Sequence, residues 1–312
     1  NAGLLLEDRL WGVSGNTPNN TGDKKYARQF NNLIAPTVAL NKKIAGTNSI
    51  YLSYSEGAKT PVASNIVIAT TGEVNTGLNP ERGRQFELGV KGNHFDNRLF
   101  YTLSVFNTTF SNKFTAVTVQ NPQNTVTLYS FLVNGGSLIN RGLEASITYK
   151  VIESETNFIQ TLQPFANATL SDFVYDNFSF QRVVRNSNNL DSTVVEDYSN
   201  KAVAGVAPVV FNVGCDFITK VGLYGNIYYN YRSSMPYTSD GVNVTEAFGV
   251  LNSKIGFRKQ FGKFNCDLQA GANNITSTQY YNMVFVNQLP DAFIPAPNEI
   301  NFFGGLQISY QF

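Results

Sequence analysis

Charged side chains whose types could do chemistry cluster in one short stretch: Glu81, Arg82, Arg84, Glu87 and Lys91. Carboxylates next to cations can act as general acids and bases, because neighbouring charges shift their pKa values. Polar and apolar residues alternate around them, which predicts a strand with one polar face. Charges on such a face can instead pair with one another, and this structural role is favoured over an active site. The same role is predicted for charged residues of later strands: Glu144, Lys150, Asp216, Lys254 and Arg258.

The single histidine and the two cysteines do not predict a metal site. His94 falls at a predicted short turn and is interpreted as a turn residue. Cys215 and Cys266 occupy apolar positions of predicted strands three apart, roughly 14 Å at about 4.8 Å per strand, beyond the roughly 7 Å Cα limit for a disulfide. No Cys/His pair has metal-ligand spacing, so no cofactor is predicted. No nucleophile elbow, phosphate loop or acid pair predicts an enzyme.

The composition favours a β protein without a strong charge bias. Charged residues make up 14% of the chain and the formal net charge is +1, so nucleic acid is not a predicted partner. Aromatic residues reach 13%, which suits strands with one apolar and one polar face. No apolar run reaches about 18 residues, so no transmembrane helix is predicted. The start shows no signal peptide, and we expect a C-terminal piece of a longer chain.

Apolar and polar residues alternate in about eleven segments, which predicts eleven strands joined in turn by short turns and long loops. The predicted strands are residues 33–40, 50–55, 85–91, 98–109, a segment ending near 151, 158–170, 209–217, 223–231, 249–258, 264–270 and 302–312. The predicted long loops include residues 1–30, 56–82, around 121–124, 172–201 and 273–299. This parity is typical of an outer-membrane β-barrel, whose short turns are periplasmic. The last strand would then end in the periplasm.

The last predicted strand has the length of a membrane crossing. Phe302 and Phe312 are ten residues apart on one face, roughly 33 Å of strand at about 3.3 Å per residue. A tilt of about 45° projects this to roughly 23 Å, close to the roughly 25 Å apolar band of such barrels. An odd number of strands would leave unpaired backbone groups in lipid, so we expect the barrel to be incomplete.

Four segments resemble the barrel of TonB-dependent outer-membrane receptors: YLSYSEGAKTP at 51–61 with LNPERGRQFELGVKG at 78–92, NRGLEA at 140–145, and GANNIT at 271–276 followed by QYY at 279–281. The resemblance implies a 22-stranded transmembrane antiparallel β-barrel filled by a plug, with residues 1–312 as its C-terminal half and the plug outside this chain. It also implies active import of a scarce nutrient across the bacterial outer membrane, with a ferric siderophore as the commonest cargo. The terminal Phe312 resembles the C-terminal insertion signal of outer-membrane proteins.

The resemblance implies roles for two sets of residues. Ligand recognition would lie in the outer loops, where rings and amides stack on flat chelates or sugars. Packing between loops is the alternative for each of the predicted ligand residues: Tyr198, Arg232, Tyr237, Tyr280, Tyr281 and Phe285. The residues predicted to face the lumen or plug are Arg84, Glu87, Lys91, Glu144, Lys254 and Arg258.

The predicted partners are TonB through the missing N-terminal region, outer-membrane lipid, a small-molecule or metal-chelate ligand, and a surface lipoprotein. No outer loop offers a histidine, which disfavours haem as cargo. Other interpretations stay open: a receptor for a vitamin, sugar or peptide, a passive porin, and a soluble β-sandwich or propeller.

Overall fold

Strands dominate the computed structural model, which describes residues 30–31, 33–62, 66–68, 73–120, 127–185, 191–287 and 293–312. The predicted loop at 1–30 lies almost wholly outside these residues, and so does the loop at 121–124. In the described part of the chain, no helix is both long and apolar enough to span a bilayer.

The strands of the first half of the chain are β1 (Thr37–Ala45), β2 (Asn48–Lys59), β3 (Val67–Ile68), β4 (Glu73–Val74), β5 (Glu81–His94), β6 (Leu99–Gln120), β7 (Thr127–Tyr149) and β8 (Ile152–Glu153). Those of the second half are β9 (Ile159–Arg185), β10 (Asp191–Asp197), β11 (Val209–Thr219), β12 (Leu223–Arg232), β13 (Phe248–Phe261), β14 (Phe264–Asn273), β15 (Tyr281–Val284), β16 (Phe293–Pro295) and β17 (Asn301–Tyr310).

Eleven of these strands form one continuous open sheet in the order β1-β2-β5-β6-β7-β9-β11-β12-β13-β14-β17. Neighbours in this order pair antiparallel, and β8 and β10 add to it by pairing with β9. The eleven strands therefore lie in the sheet in the same order as in the sequence. The prediction of an all-β antiparallel sheet with about eleven strands is confirmed.

The connections alternate between two ends of the sheet. One end of the sheet, which we call the short-turn end, carries the short turns at 46–47, 95–98, 220–222 and 262–263. Gly222 and Gly262 have positive φ there, which glycine adopts without steric cost. Long connections that contain β3–β4, β10 and β15–β16 lie at the opposite end, the loop end.

Several strands extend further than the sequence predicts. β6 continues to Gln120, past the predicted strand end near Thr109, and β9 continues to Arg185, through a segment predicted as a loop. These extensions and β7 form an arm at the loop end, in which β7 pairs with both strands and Thr118 pairs in parallel with Arg182. The backbone groups of the arm are therefore hydrogen-bonded to one another. Apolar alternation is weak in this arm, so the pattern alone could not show it. β1 begins at Thr37, four residues later than predicted.

The two faces of the sheet differ in polarity. One register row, which defines the apolar face, runs through Leu40, Leu52, Leu88, Val105, Leu143, Leu170 and Val209. On the last strand Leu306, Ile308 and Tyr310 are 65%, 59% and 45% exposed, so they do not fill a compact core. An exposed apolar band of this extent is typical of a membrane-facing wall.

Candidate functional site

The opposite, polar face carries most of the charged residues singled out from the sequence. Glu87 and Lys91 share it with Glu144, since Lys91 lies in register with Thr102 and Ser146, two positions from Glu144. Lys254 and Arg258 lie on the same face, further along the sheet. Whether this face lines a lumen remains a prediction.

Arg84 does not share the polar face, which corrects its prediction. β5 is regular between Arg82 and His94, so Arg84 alternates with Glu87 and points with Phe86 to the apolar face. Its Nε lies 3.4 Å from Glu56 Oε1, and its side chain is largely exposed.

Two similar clusters organise the polar face near the short-turn end. In the first, the Tyr224 hydroxyl donates to Asp267 at 2.6 Å, and Arg258 contacts the same carboxylate at 2.7 and 2.8 Å. In the second, the Tyr51 hydroxyl donates to Glu87 at 2.6 Å. Lys254 lies 5.8 Å from the Tyr224 ring centroid and Lys91 lies 5.9 Å from that of Tyr51. Both carboxylates are thus hydrogen-bonded, which supports a structural role for them, in holding neighbouring side chains in place, rather than acid–base chemistry.

Asparagine side chains form a continuous relay across the polar face. Asn212 donates to Asn167 Oδ1 at 2.7 Å, Asn230 donates to Asn212, and Asn252 donates to Asn230 at 3.0 Å. Asn252 in turn accepts the backbone N–H of Asn274 at 3.1 Å. The relay therefore connects the sheet to the start of the last long loop.

Asn274 holds that loop in place. Its side chain donates to the carbonyl of Thr278 at 2.9 Å and accepts the Thr278 N–H at 2.9 Å. A second contact reaches the carbonyl of Pro297 at 3.4 Å, so both ends of the loop meet at one amide.

A buried segment, residues 235–239, joins three connections at the loop end. Asn287, from the last long loop, accepts the Ser239 N–H at 2.8 Å and donates to its hydroxyl at 2.9 Å. The Tyr175 hydroxyl lies 3.0 Å from the Ser239 hydroxyl. Gly205 donates its N–H to the carbonyl of Pro236 at 2.7 Å. We call this set of contacts the loop clasp.

The pKa of Asp240, next to the clasp, lies below its ordinary value of 3.8. The main cause is a hydrogen bond from the Thr238 hydroxyl at 2.5 Å, and the Val242 N–H at 3.0 Å adds to it. The Lys201 ammonium donates to the Asp240 carbonyl at 2.7 Å and favours the charged carboxylate. The charged form of Asp240 thus stabilises this loop.

Several predicted ligand residues pack between loops. Tyr237 is buried and meets Phe293 edge-on at 4.9 Å, and Tyr281 stacks on the same ring at 4.1 Å. Tyr198 stacks on Phe178 at 6.4 Å. Phe285 is exposed, with 37% of its surface accessible. Ligand contact by these four residues stays a prediction, and Tyr237 has little surface left for it.

Arg232 and Tyr280 are brought together by a residue that sequence reasoning missed. The Arg232 guanidinium carbon lies 4.6 Å from the Phe248 ring centroid, and Tyr280 stacks on Phe248 at 4.6 Å and 23°. Phe248 is in register with Arg232 at the loop end of the polar face. The only signal for Phe248 in the sequence was its aromatic type at the start of β13. Nothing in the sequence distinguished it from the other phenylalanines.

The remaining candidates for metal or thiol chemistry form no centre in the described residues. Cys215 and Cys266 are both free thiols. His94 stacks on Tyr101 at 5.9 Å. Among the described residues, no group of three or more His, Cys, Asp or Glu side chains could hold a metal ion.

Comparison with known proteins gives one family. A family model described as "TonB dependent receptor-like, beta-barrel" matches residues 9–275. No curated protein sequence matches this chain.

Solved structures with the same fold include three receptors. The siderophore receptor PiuA from Acinetobacter baumannii is 15% identical, and the match covers 92% of this chain and 36% of that chain with a TM-score of 0.64. The ferric preacinetobactin receptor BauA from Acinetobacter baumannii is 19% identical, with 96% and 38% covered and a TM-score of 0.62. The ferric-catecholate import receptor Fiu from Escherichia coli K12 is 17% identical, with 93% and 36% covered and a TM-score of 0.63. The chain thus spans between 36% and 38% of the length of these structures.

Proposed function

Because this chain belongs to the TonB-dependent receptor-like β-barrel family, we propose that it supplies wall and outer loops to a receptor that imports a ferric siderophore. Receptors of this family lie in the bacterial outer membrane. In this proposal residues 1–312 are the C-terminal part of the barrel, and the remaining strands and the plug come from the rest of the receptor. The short-turn end and the C-terminus then face the periplasm.

The observation that carries the cargo class is the arrangement at the loop end. Arg232, Phe248 and Tyr280 offer a cation and two stacked rings beside loops that the clasp holds together. Such a set binds a flat, polar chelate better than it binds a freely diffusing ion, because rings supply contact area and polar groups fix orientation. The receptors that share this fold are described as a siderophore receptor (PiuA), a ferric preacinetobactin receptor (BauA) and a ferric-catecholate import receptor (Fiu).

The proposed mechanism divides the work between this chain and its partners. The chelate binds the outer loops and the plug, and TonB then pulls on the plug from the periplasm. The polar face supplies the wall along which the cargo passes. The clustered carboxylates on that face are hydrogen-bonded, so the role proposed for this chain is binding and transport without catalysis.

Uptake by the full-length receptor tests this function. A strain that lacks the receptor gene would be compared with a complemented strain under iron limitation, with labelled ferric siderophores supplied. We expect uptake only in the complemented strain, and only while TonB is present. Uptake that continues without TonB would indicate a passive porin. If none of the ferric chelates is transported, the cargo is a vitamin, sugar or peptide and the proposal is wrong.

A further inference from the structure

Three aromatic residues form one register row at the short-turn end of the apolar face. Phe261 pairs with Phe264 across the last short turn, and Phe264 pairs with Tyr310 of the last strand. The rings of Phe264 and Tyr310 meet at 5.2 Å, and all three residues are between 45% and 55% exposed. Aromatic side chains at the edge of an apolar band mark the boundary between hydrocarbon and lipid headgroups. We call Phe261, Phe264 and Tyr310 the aromatic row.

An exposed lysine lies on the hydrocarbon side of this row. Lys259 is in register with Cys266 and Ile308, one row further into the apolar face. A charge that faces hydrocarbon is costly, so a lysine at such a position extends its ammonium group towards the headgroups. The side chain has this direction, since Lys259 Nζ lies 5.9 Å from the ring centroid of Phe261.

A second lysine reaches the aromatic row from the opposite side. Lys263 belongs to the turn between β13 and β14, and its Nζ lies 5.6 Å from the ring centroid of Tyr310. Both distances lie within the roughly 6 Å over which a ring attracts a cation. The two ammonium groups are thus held beside rings of one row, at the boundary of the apolar band.

The protein does not neutralise these two lysines. In the part of the chain that the structure describes, neither Lys259 nor Lys263 makes a salt bridge. Asp267 is the only acidic residue of β13, β14 and β17. Its carboxylate lies on the polar face, where it is bonded to Arg258 and Tyr224. Both positive charges are therefore available to an anion from the membrane.

We propose that Lys259, Lys263 and the aromatic row bind the headgroup of an anionic phospholipid such as phosphatidylglycerol. The lipid phosphate pairs with the two ammonium groups. The acyl chains pack along exposed apolar residues further into the same face: Phe257, Leu268, Leu306 and Ile308. A zwitterionic phospholipid brings its own cation next to the lysines, so it gains less from them. This lipid site goes beyond cargo import and does not depend on which cargo is carried.

Lipid retention by the purified full-length receptor tests the site. The receptor is held in detergent micelles with equal amounts of phosphatidylglycerol and phosphatidylcholine of matched acyl chains, and native mass spectrometry counts the lipid molecules that stay bound. We expect the first bound lipid to be phosphatidylglycerol. Its affinity should fall by about fivefold in Lys259→Gln or Lys263→Gln and by on the order of 30-fold in the double variant. Lys259→Arg keeps the charge and should keep most of the affinity. Glycerol 3-phosphate, which has the phosphate without acyl chains, should not be retained.

Lys254→Gln is the matched control, because Lys254 lies on the same strand as Lys259 but on the polar face. It removes the same charge and should bind phosphatidylglycerol like the native receptor. Folding of each variant is checked by its gel mobility before and after heating. Equal retention of the two lipids by the native receptor, no loss in the double variant, or an equal loss in Lys254→Gln would each overturn the site. None of these results bears on iron uptake, so the lipid site and the proposed import are tested separately.

Discussion

The ring of Tyr224 lies flat over Gly256, its direct partner on the neighbouring strand. A Cβ atom at position 256 would stand 2.7 Å or less from two ring carbons of Tyr224 and from its hydroxyl oxygen. The same pairing recurs on the polar face of the described sheet: Tyr51 over Gly89, Phe106 over Gly142, Phe165 over Gly214 and Phe303 over Gly271. A glycine that would weaken a strand is thus covered by the ring of its partner.

Gly256→Ala is expected to destabilise the receptor by about 1 to 3 kcal/mol, because the new methyl group must displace the Tyr224 ring and its bond to Asp267. Chemical unfolding of the purified receptor measures the loss. Gly304→Ala is the control, since its nearest atom would be at an ordinary 3.5 Å. Equal effects of the two substitutions would contradict the packing argument.

Asn230 is expected to matter more than Asn167, although both belong to the asparagine relay. Asn230→Ala removes one acceptor and one donor in the middle of the relay, and leaves the amide nitrogen of the buried Asn252 with only a long contact, 3.5 Å, to the Val250 carbonyl. The expected cost is about 1 to 3 kcal/mol. Asn167→Ala removes only the exposed terminal member, so water replaces it and we expect at most about 1 kcal/mol. The free energies of unfolding of the two variants test this order. The reverse order would show that the relay does not contribute to stability.

The sheet was predictable because one physical rule governs nearly every strand. Leu52, Leu88 and Val105 belong to the apolar set of their strands and meet in one register row, as the pattern predicts. Strand ends followed a different rule. Asn177 lies in polar sequence, yet it pairs with Ser137 because the arm's backbone groups bond to each other. The alternation of side chains along a strand would also have placed Arg84 correctly, because a residue three positions from Glu87 lies on the opposite face.

The candidate site was only partly predictable, because contacts between distant loops leave no periodic trace. Arg232 and Tyr280 were singled out by type, but the ring that joins them, Phe248, was not. Ser239 and Asn287 form the loop clasp across a large sequence separation. No local pattern links two such residues, so only the fold could show the contact.

Removing the side chain of Asn287 is expected to loosen the loop clasp. The Ser239 N–H loses its acceptor, so its hydrogen exchange should rise by about tenfold. Asn287 has a φ of 58°, where alanine is strained, so Asn287→Gly is the cleaner variant and Asn287→Ala should be slightly worse. Gln279→Ala, an exposed change in the same loop, is the control. Unchanged exchange at Ser239 in both Asn287 variants would show that the clasp is not needed.

The loop around Asp240 is expected to loosen in acid. The pKa of Asp240 is lower in the folded loop than its ordinary value of 3.8, mainly because of the Thr238 hydroxyl, so the folded form binds a proton less readily than the unfolded form. This contribution is fully present above about pH 5 and is lost as pH falls below about 4 and through the folded pKa.

Hydrogen exchange of residues 236–245, corrected for the intrinsic effect of pH, measures this loosening between pH 6 and pH 2. Asp240→Asn should exchange faster at pH 6 than the native receptor, because the Thr238 hydroxyl and the Val242 N–H lose a charged acceptor. Its remaining acid response in this segment should be small. Glu246→Gln, which changes an exposed carboxylate of the same loop, should behave like the native receptor. An acid response that survives unchanged in Asp240→Asn would assign it to another group.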